Sequence, residues 1–212
     1  MSEPDRPAGG APADSVDWDA LYAASEQVWS GDPNGQLVAE ITDVPPGTAV
    51  DVGCGEGADG IWLARRGWRV TAFDVSSTAL ARASRHVADA GVTVHLVHAG
   101  LLDPALAGAR FDLVNAQYAA LLHEQGRSLA ALLGLVAPGG TLLLVHHVLE
   151  ADDGHRAFDP ADYVMPPDVH AALDDGWDVQ VYEQRPRHVT AGAGAGHTVD
   201  LVLRATRRPA VR

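Results

Sequence analysis

Cysteine is nearly absent from this chain: of 212 residues, only Cys54 carries a thiol. A single thiol excludes an intramolecular disulfide framework and fits a reducing, cytoplasmic setting. Long apolar runs are missing too. The longest, Leu129 to Leu149, is broken by Pro138-Gly139-Gly140, so neither half reaches the roughly 18 residues that span a bilayer. Residues 1–15 are polar and rich in Pro, Ala and Gly without an apolar centre, which excludes a secretory signal there. Basic residues are scarce: 15 Lys+Arg against 28 Asp+Glu leave a net charge of −13 with His neutral. Such a surface repels phosphate backbones and anionic lipid, so neither nucleic acid nor membrane is an expected partner. With 47% apolar residues the chain has material for one soluble, well-packed domain.

Met1 to Ser15 reads as a flexible tail that cannot repay its ordering entropy. Val16 to Ile41 carries two short helical patterns, WDALYAASEQVW and LVAEI, separated by Ser30-Gly31-Asp32-Pro33-Asn34-Gly35. Residues 16–45 are therefore an N-terminal helical arm, and Pro45-Pro46-Gly47 punctuates entry to the main body. After it, short apolar runs alternate with amphipathic stretches. Strands are expected at Thr48–Gly53, Trp68–Asp74, Val92–His98, Phe111–Ala116 and Thr141–Val148. Helices are expected at Ala58–Arg66, Ser77–Ala90 and Glu124–Val136, the last ended by Pro138-Gly139-Gly140. This alternation predicts a parallel sheet covered on both faces. Trp177–Gln184 and Thr198–Thr206, joined by the low-complexity loop AGAGAG, read as a long antiparallel hairpin closing the sheet. Residues 16–208 form one domain on this reading.

The strongest chemical signal is Asp51-Val52-Gly53-Cys54-Gly55-Glu56-Gly57, directly after a strand and before a helix. Glycines there let the backbone turn sharply and admit a ligand close to the chain. Asp74 follows Gly53 by 21 residues, where the next parallel strand ends, and a carboxylate there suits a ribose diol. A dinucleotide site uses G-x-G-x-x-G with a helix N-terminus facing pyrophosphate. Here the spacing is G-x-G-x-G, and the preceding strand acid Asp51 suits a ligand bearing an ammonium group rather than phosphate.

On these residues the chain resembles the class I S-adenosylmethionine (SAM)-dependent methyltransferases. DVGCGEG (Asp51–Gly57), TAFD (Thr71–Asp74), FDLVNAQ (Phe111–Gln117) and PGGTLLL (Pro138–Leu144) stand in family order. The resemblance implies a Rossmann-like α/β fold: a doubly wound seven-stranded sheet, mostly parallel with one antiparallel strand, and helices on both faces. It implies SAM as cofactor, S-adenosylhomocysteine (SAH) as product, and methyl transfer to N, S or O of a small-molecule acceptor. The alternative is a non-catalytic SAM-binding sensor or an enzyme's partner. Asp51, Gly53, Cys54, Gly55 and Gly57 would hold the methionine portion, Asp74 the ribose and Val75 the adenine face. Gln117 and Tyr118 would flank the sulfonium. Gly100 stands where many members place a polar adenine contact, so adenine falls to the backbone of Gly100 and Leu101, or to Asp103. Trp29-Ser30-Gly31, Gly176-Trp177 and Arg187-His188 also resemble segments of tellurite-resistance and thiopurine methyltransferases.

A general base is needed only when the nucleophile carries a tightly held proton. His123 on the rim is the first candidate, then His146 and His147 at a strand end, where alternation would point one to each face. For each, a hydrogen-bonded histidine without catalytic duty is the competing and simpler reading. The ten histidines show no metal-ligand spacing, so no metal is expected. Trp18, Tyr22 and Trp29 either close over the cofactor or pack the arm on the sheet. Within Ala151–Pro167, Phe158, Tyr163 and Met165 either line an acceptor pocket or belong to a plain connection. Oligomeric state leaves no mark in the sequence.

Overall fold

The computed structural model describes residues 16–148, 160–187 and 196–209. The expected tail at 1–15, Phe158, His188 and most of AGAGAG lie outside the described residues. Among the described residues, thirteen helices and strands follow one another: α1 (Trp18–Ala23), α2 (Gly35–Ile41), β1 (Thr48–Val52), α3 (Ala58–Arg65), β2 (Arg69–Asp74), α4 (Ser77–Ala90), β3 (Val94–His98), β4 (Phe111–Gln117), α5 (Arg127–Gly134), β5 (Val136–His147), α6 (Pro166–Ala172), β6 (Trp177–Pro186) and β7 (Val199–Arg207).

The strands form one seven-stranded sheet in the order β3-β2-β1-β4-β5-β7-β6. β1 to β5 pair in parallel, and β7 runs antiparallel to both β5 and β6. Six strands therefore share one direction and one is reversed, as the sequence predicts. Alternation along each strand feeds two cores. Val50, Val52, Val114, Leu142 and Leu144 pack with Leu132 of α5 and Val169 of α6 on one face. Ala49, Leu113, Leu143 and Val145 pack with Leu37 and Ile41 of α2 and Leu63 of α3 on the other. Each fully buried Leu or Val contributes roughly 1.5–3 kcal/mol. The order places the reversal of winding between β1 and β4, and a crevice opens there at the carboxyl ends of the strands.

Two expectations change. The helix placed at Glu124–Val136 is shorter: a 3-10 turn at Glu124–Gly126 precedes α5, which ends at Gly134. Pro138-Gly139-Gly140 does not end it but lies inside β5, at an irregularity in pairing with β4 between Phe111 and Leu113. Gly139 takes φ +82°, and a Cβ on Gly140 would stand 2.8 Å from the Phe111 carbonyl oxygen. The motif bends a strand closely past its neighbour, which only glycine permits. The first arm helix is also short, six residues, because buried partners described below draw the following backbone away.

Candidate active site

Glycine at three alternate positions turns the chain from β1 into α3, with φ of +66° at Gly53, +51° at Gly55 and +87° at Gly57. The left-handed region penalises side chains, so this loop needs glycine on conformational grounds alone. Crowding adds to it: a Cβ at Gly55 would stand 2.7 Å from Tyr22 Oη and 3.2 Å from Trp29 Nε1. The loop is clamped from below, Cys54 N–H donating to the Phe73 carbonyl at 3.0 Å. Burial pushes the Cys54 thiol up, which keeps it protonated and unreactive. Asp74, at the end of β2, accepts from Gly55 N–H at 2.8 Å and Ser76 N–H at 2.9 Å. Burial raises its pKa while these amides oppose the rise. A carboxylate has about four acceptor positions, so Asp74 keeps capacity for further donors.

Beneath the loop lies a polar network with an excess of acceptors. Asn115 Nδ2 on β4 donates to Asp51 Oδ1 at 2.8 Å and to Asp59 Oδ2 at 3.2 Å. Asn34 donates to Asp59 through its backbone at 2.7 Å and its side chain at 2.9 Å, and Gln117 Nε2 donates to Asn115 Oδ1 at 2.8 Å. Among the described residues, Asp51 Oδ2 and Gln117 Oε1 are buried without a well-formed hydrogen bond, the Gly60 amide near Asp51 only opposing the rise in its pKa. Desolvation first, and the neighbouring Asp59 second, push the Asp51 carboxyl well above the usual range. Burial raises Asp59 as well.

Glu56 ties the arm to this loop. Its carboxylate accepts from Val28 N–H at 3.2 Å and Trp29 N–H at 3.1 Å, and pairs with Arg82 of α4 at 2.8 Å. Arg82 also donates to the Tyr22 and Ser25 carbonyls. Tyr22 is buried, and Trp29 Nε1 donates to its hydroxyl at 2.8 Å. Packing the arm and covering the loop are thus one arrangement.

At the other end of the crevice the chain leaves β4 through Tyr118, a non-glycine at φ 55°. Such strain costs about 1–3 kcal/mol and collects at functional sites. It swings the Tyr118 ring onto His147, centroids 4.3 Å apart, and His197 stacks on His147's far face at 3.9 Å. Tyr118 Oη donates to Asp200 Oδ2 at 2.9 Å, and His147 Nδ1 meets Asp200 Oδ1 at 3.3 Å. Burial lowers the His146 pKa to about 4, with His147 adding to the effect.

A cleft of about 1070 Å³ joins both ends, lined among others by Trp29, Asp51, Cys54, Asp74, Tyr118 and His146. Trp18, Gly53, Gly55, Gly57, Val75, Gly100, Leu101, Gln117, His147, Tyr163 and Met165 line it too. The structure therefore brings together every residue expected to contact the cofactor except Asp103. Asp103 does not line it and instead caps the Pro104–Leu106 turn through Ala105 N–H at 2.8 Å. Residues 119–121 line the cleft but His123 does not; its amide donates to the Asp162 carbonyl at 2.9 Å and its ring lies 3.9 Å from Asp168. His146 and His147, the last two residues of β5, both line the cleft. Sequence reasoning missed Glu56, Asp59, Asn115 and Asp200. Glu56 and Asp59 sit in or beside the glycine motif; Asn115 and Asp200 join their hydrogen-bond networks only through strand register.

Residues 49–140 match the family model described as a methyltransferase domain. An uncharacterized methyltransferase of Mycobacterium tuberculosis (strain ATCC 25618 / H37Rv) is 42% identical over 109 residues, 50% of this chain and 54% of that protein. The chain thus spans about half the length of the curated relatives it matches first. Among solved structures, one described as "Conversion of a Disulfide Bond into a Thioacetal Group during Echinomycin Biosynthesis" aligns with TM-score 0.72 and 21% identity, over 92% of this chain and 91% of that one. The N-methyltransferase NodS from Bradyrhizobium japonicum WM9, in complex with SAH, aligns with TM-score 0.64 and 19% identity, over 89% and 95%. Residues 49–140 of this chain are thus similar to a methyltransferase domain, and the chain shares the fold of the N-methyltransferase NodS.

Proposed function

We propose that this chain binds SAM in the crevice and transfers its methyl group to N, S or O of a small molecule, releasing SAH. The observation that carries the reading is the pair of buried acceptors without a well-formed hydrogen bond among the described residues, Asp51 Oδ2 and Gln117 Oε1, under a loop of three left-handed glycines. An ammonium group offers three donors and a positive charge to such acceptors; a phosphate offers neither. This favours a nucleoside bearing an amino acid over a dinucleotide. Asp74 would take the ribose hydroxyls, with Val75, Gly100 and Leu101 around the base. Trp29 and Tyr22, held by Glu56, would cover the ligand and exclude water.

When bound, SAM supplies an electrophilic methyl group. The chain's own contribution is to orient the acceptor and keep it dry, which accounts for most of the acceleration in such transfers. Tyr163, Met165, Tyr118, His146 and His147 line the space for that acceptor. A cleft of about 1070 Å³ lies at the upper end of small-molecule sites, commonly about 300–1,000 Å³, which leaves room for cofactor and small acceptor together. The net charge of −13 argues against RNA as acceptor, and the lone thiol fits a cytoplasmic setting. Isothermal titration tests the cofactor half: saturable binding of SAM and SAH, with NADH failing to displace them, is expected. Absence of saturable binding, or displacement by NADH, would remove the reading.

A further inference from the structure

We propose that His147 and Asp200 form a base dyad, which makes the acceptor's reacting group a hydroxyl. The inference rests on the methyl-transfer reading above and adds to it the class of acceptor and a residue, Asp200, that no sequence motif marks. His147 on β5 and Asp200 on β7 are direct cross-strand partners in the antiparallel ladder, where facing side chains stand side by side. Asp200 is 1% exposed. Its Oδ1 faces His147 Nδ1 at 3.3 Å, its Oδ2 accepts from Tyr118 Oη at 2.9 Å, and Arg187 Nε lies 3.7 Å from Oδ1.

A carboxylate accepting at Nδ1 fixes the neutral ring as the Nδ1–H tautomer and leaves the Nε2 lone pair bare. Stacking between Tyr118 and His197, interplanar angles 23° and 12°, holds the ring by both faces and presents only its edge. His147 lines the cleft beside Tyr118 and His146. In the proposed step the acceptor's O–H bond breaks, its electron pair stays on oxygen, and the proton forms an N–H bond at His147 Nε2. The resulting imidazolium is balanced by Asp200.

The surroundings discriminate among acceptors. A thiolate or neutral ring nitrogen needs no base, so a buried carboxylate behind a histidine would serve no purpose for it. A protonated amine would enter beside the Arg187 guanidinium, 5.0 Å from the Tyr118 ring centre. Oxygen developing negative charge is favoured by that same neighbour. Among the described residues, the charged and titratable groups facing His147 are His146, His197, Tyr118, Arg187 and Asp200, and of these only Asp200 supplies negative charge.

The test combines two readouts. Long-range ¹⁵N–¹H correlation of the histidines should find His147 as the Nδ1–H tautomer, with that preference lost in Asp200→Asn or, should it fail to fold, Asp200→Ser. An Nε2–H ring in the wild type overturns the dyad whatever the activity. In turnover with SAM, catechol and phenol probe hydroxyl transfer, and 4-chlorothiophenol probes a soft nucleophile. Hydroxyl transfer should fall about 100-fold in His147→Gln, while SAH affinity stays within about twofold. Thiol transfer alone, no hydroxyl transfer despite SAH binding, or an undiminished His147→Gln rate each overturns the proposal. Loss of SAH binding in the wild type would instead defeat the underlying reading.

Discussion

The two ends of the cleft are assembled in different ways. At the β1–β2 end, the groups that matter are near one another in sequence: the glycine loop follows β1 directly, and Asp74 is clasped by Gly55 and Ser76 amides 19 and 2 residues away. At the β4–β5–β7 end they are remote: His147 and Asp200 are 53 residues apart, Tyr118 and Asp200 82. A local loop can be written as a motif, because backbone conformation and hydrogen bonds demand particular residues at particular spacings. A cross-strand cluster depends on register, which many sequences satisfy. One end therefore announces its ligand class, whereas the other has to be seen folded.

The largest effect that could break this contrast concerns Glu56, a motif residue with long-range partners. Glu56→Gln should destabilise the protein by about 3 kcal/mol, since Arg82 would stay buried without its counter-charge. Chemical denaturation checks it, and an unchanged midpoint would show that the arm holds without the pair. Asp74→Ala should lower SAH affinity about 100-fold by removing charge-assisted hydrogen bonds. Titration calorimetry reads that loss, and equal affinity would detach Asp74 from the ligand.

Asp51 sharpens the comparison through pH. Its pKa is higher folded than unfolded, so the folded state binds more protons and apo stability falls as pH rises from the ordinary carboxylate value through the raised one. Asp51→Asn should flatten that slope and stabilise the apo protein by about 1 kcal/mol near neutrality. It should also weaken SAH binding about tenfold. Thermal melts across pH, with and without SAH, measure both; a variant equally sloped or equally tight contradicts the assignment.

The smallest effect is at Asp19, which accepts from the Ser76 hydroxyl at 2.6 Å and Thr78 N–H at 3.0 Å. Those hydrogen bonds, Ser76's first, lower its pKa to about 2 from 3.8. The stabilisation is present above the unfolded value and is lost as pH falls through the folded one. The Tm gap between wild type and Asp19→Ala should close on acidification toward about pH 2; a gap that persists there points to packing instead.

Most of the fold was legible because strand alternation and glycine-closed helices are local signals. α4, for example, runs from the Ser76 cap to Gly91 at φ 66°, and both ends were readable in the sequence. Pro138-Gly139-Gly140 misled because the same residues that end a helix also let a strand bend past a neighbour, and only the Phe111 carbonyl tells which. His123 is a related case: following a strand does not fix which way a loop turns, and here the His123 amide donates to the Asp162 carbonyl while the residue stands outside the cleft lining.

Taken alone, the residue order determined the sheet's strands, the glycine turn and the acids around it, because those are dictated by backbone conformation within a few positions. Only the tertiary structure decided that Asp200 would stand behind His147, that Tyr118 would twist to cover it, and that Asp51 and Gln117 would keep acceptors unmet. These are outcomes of register and desolvation, which depend on residues far along the chain arriving at one place.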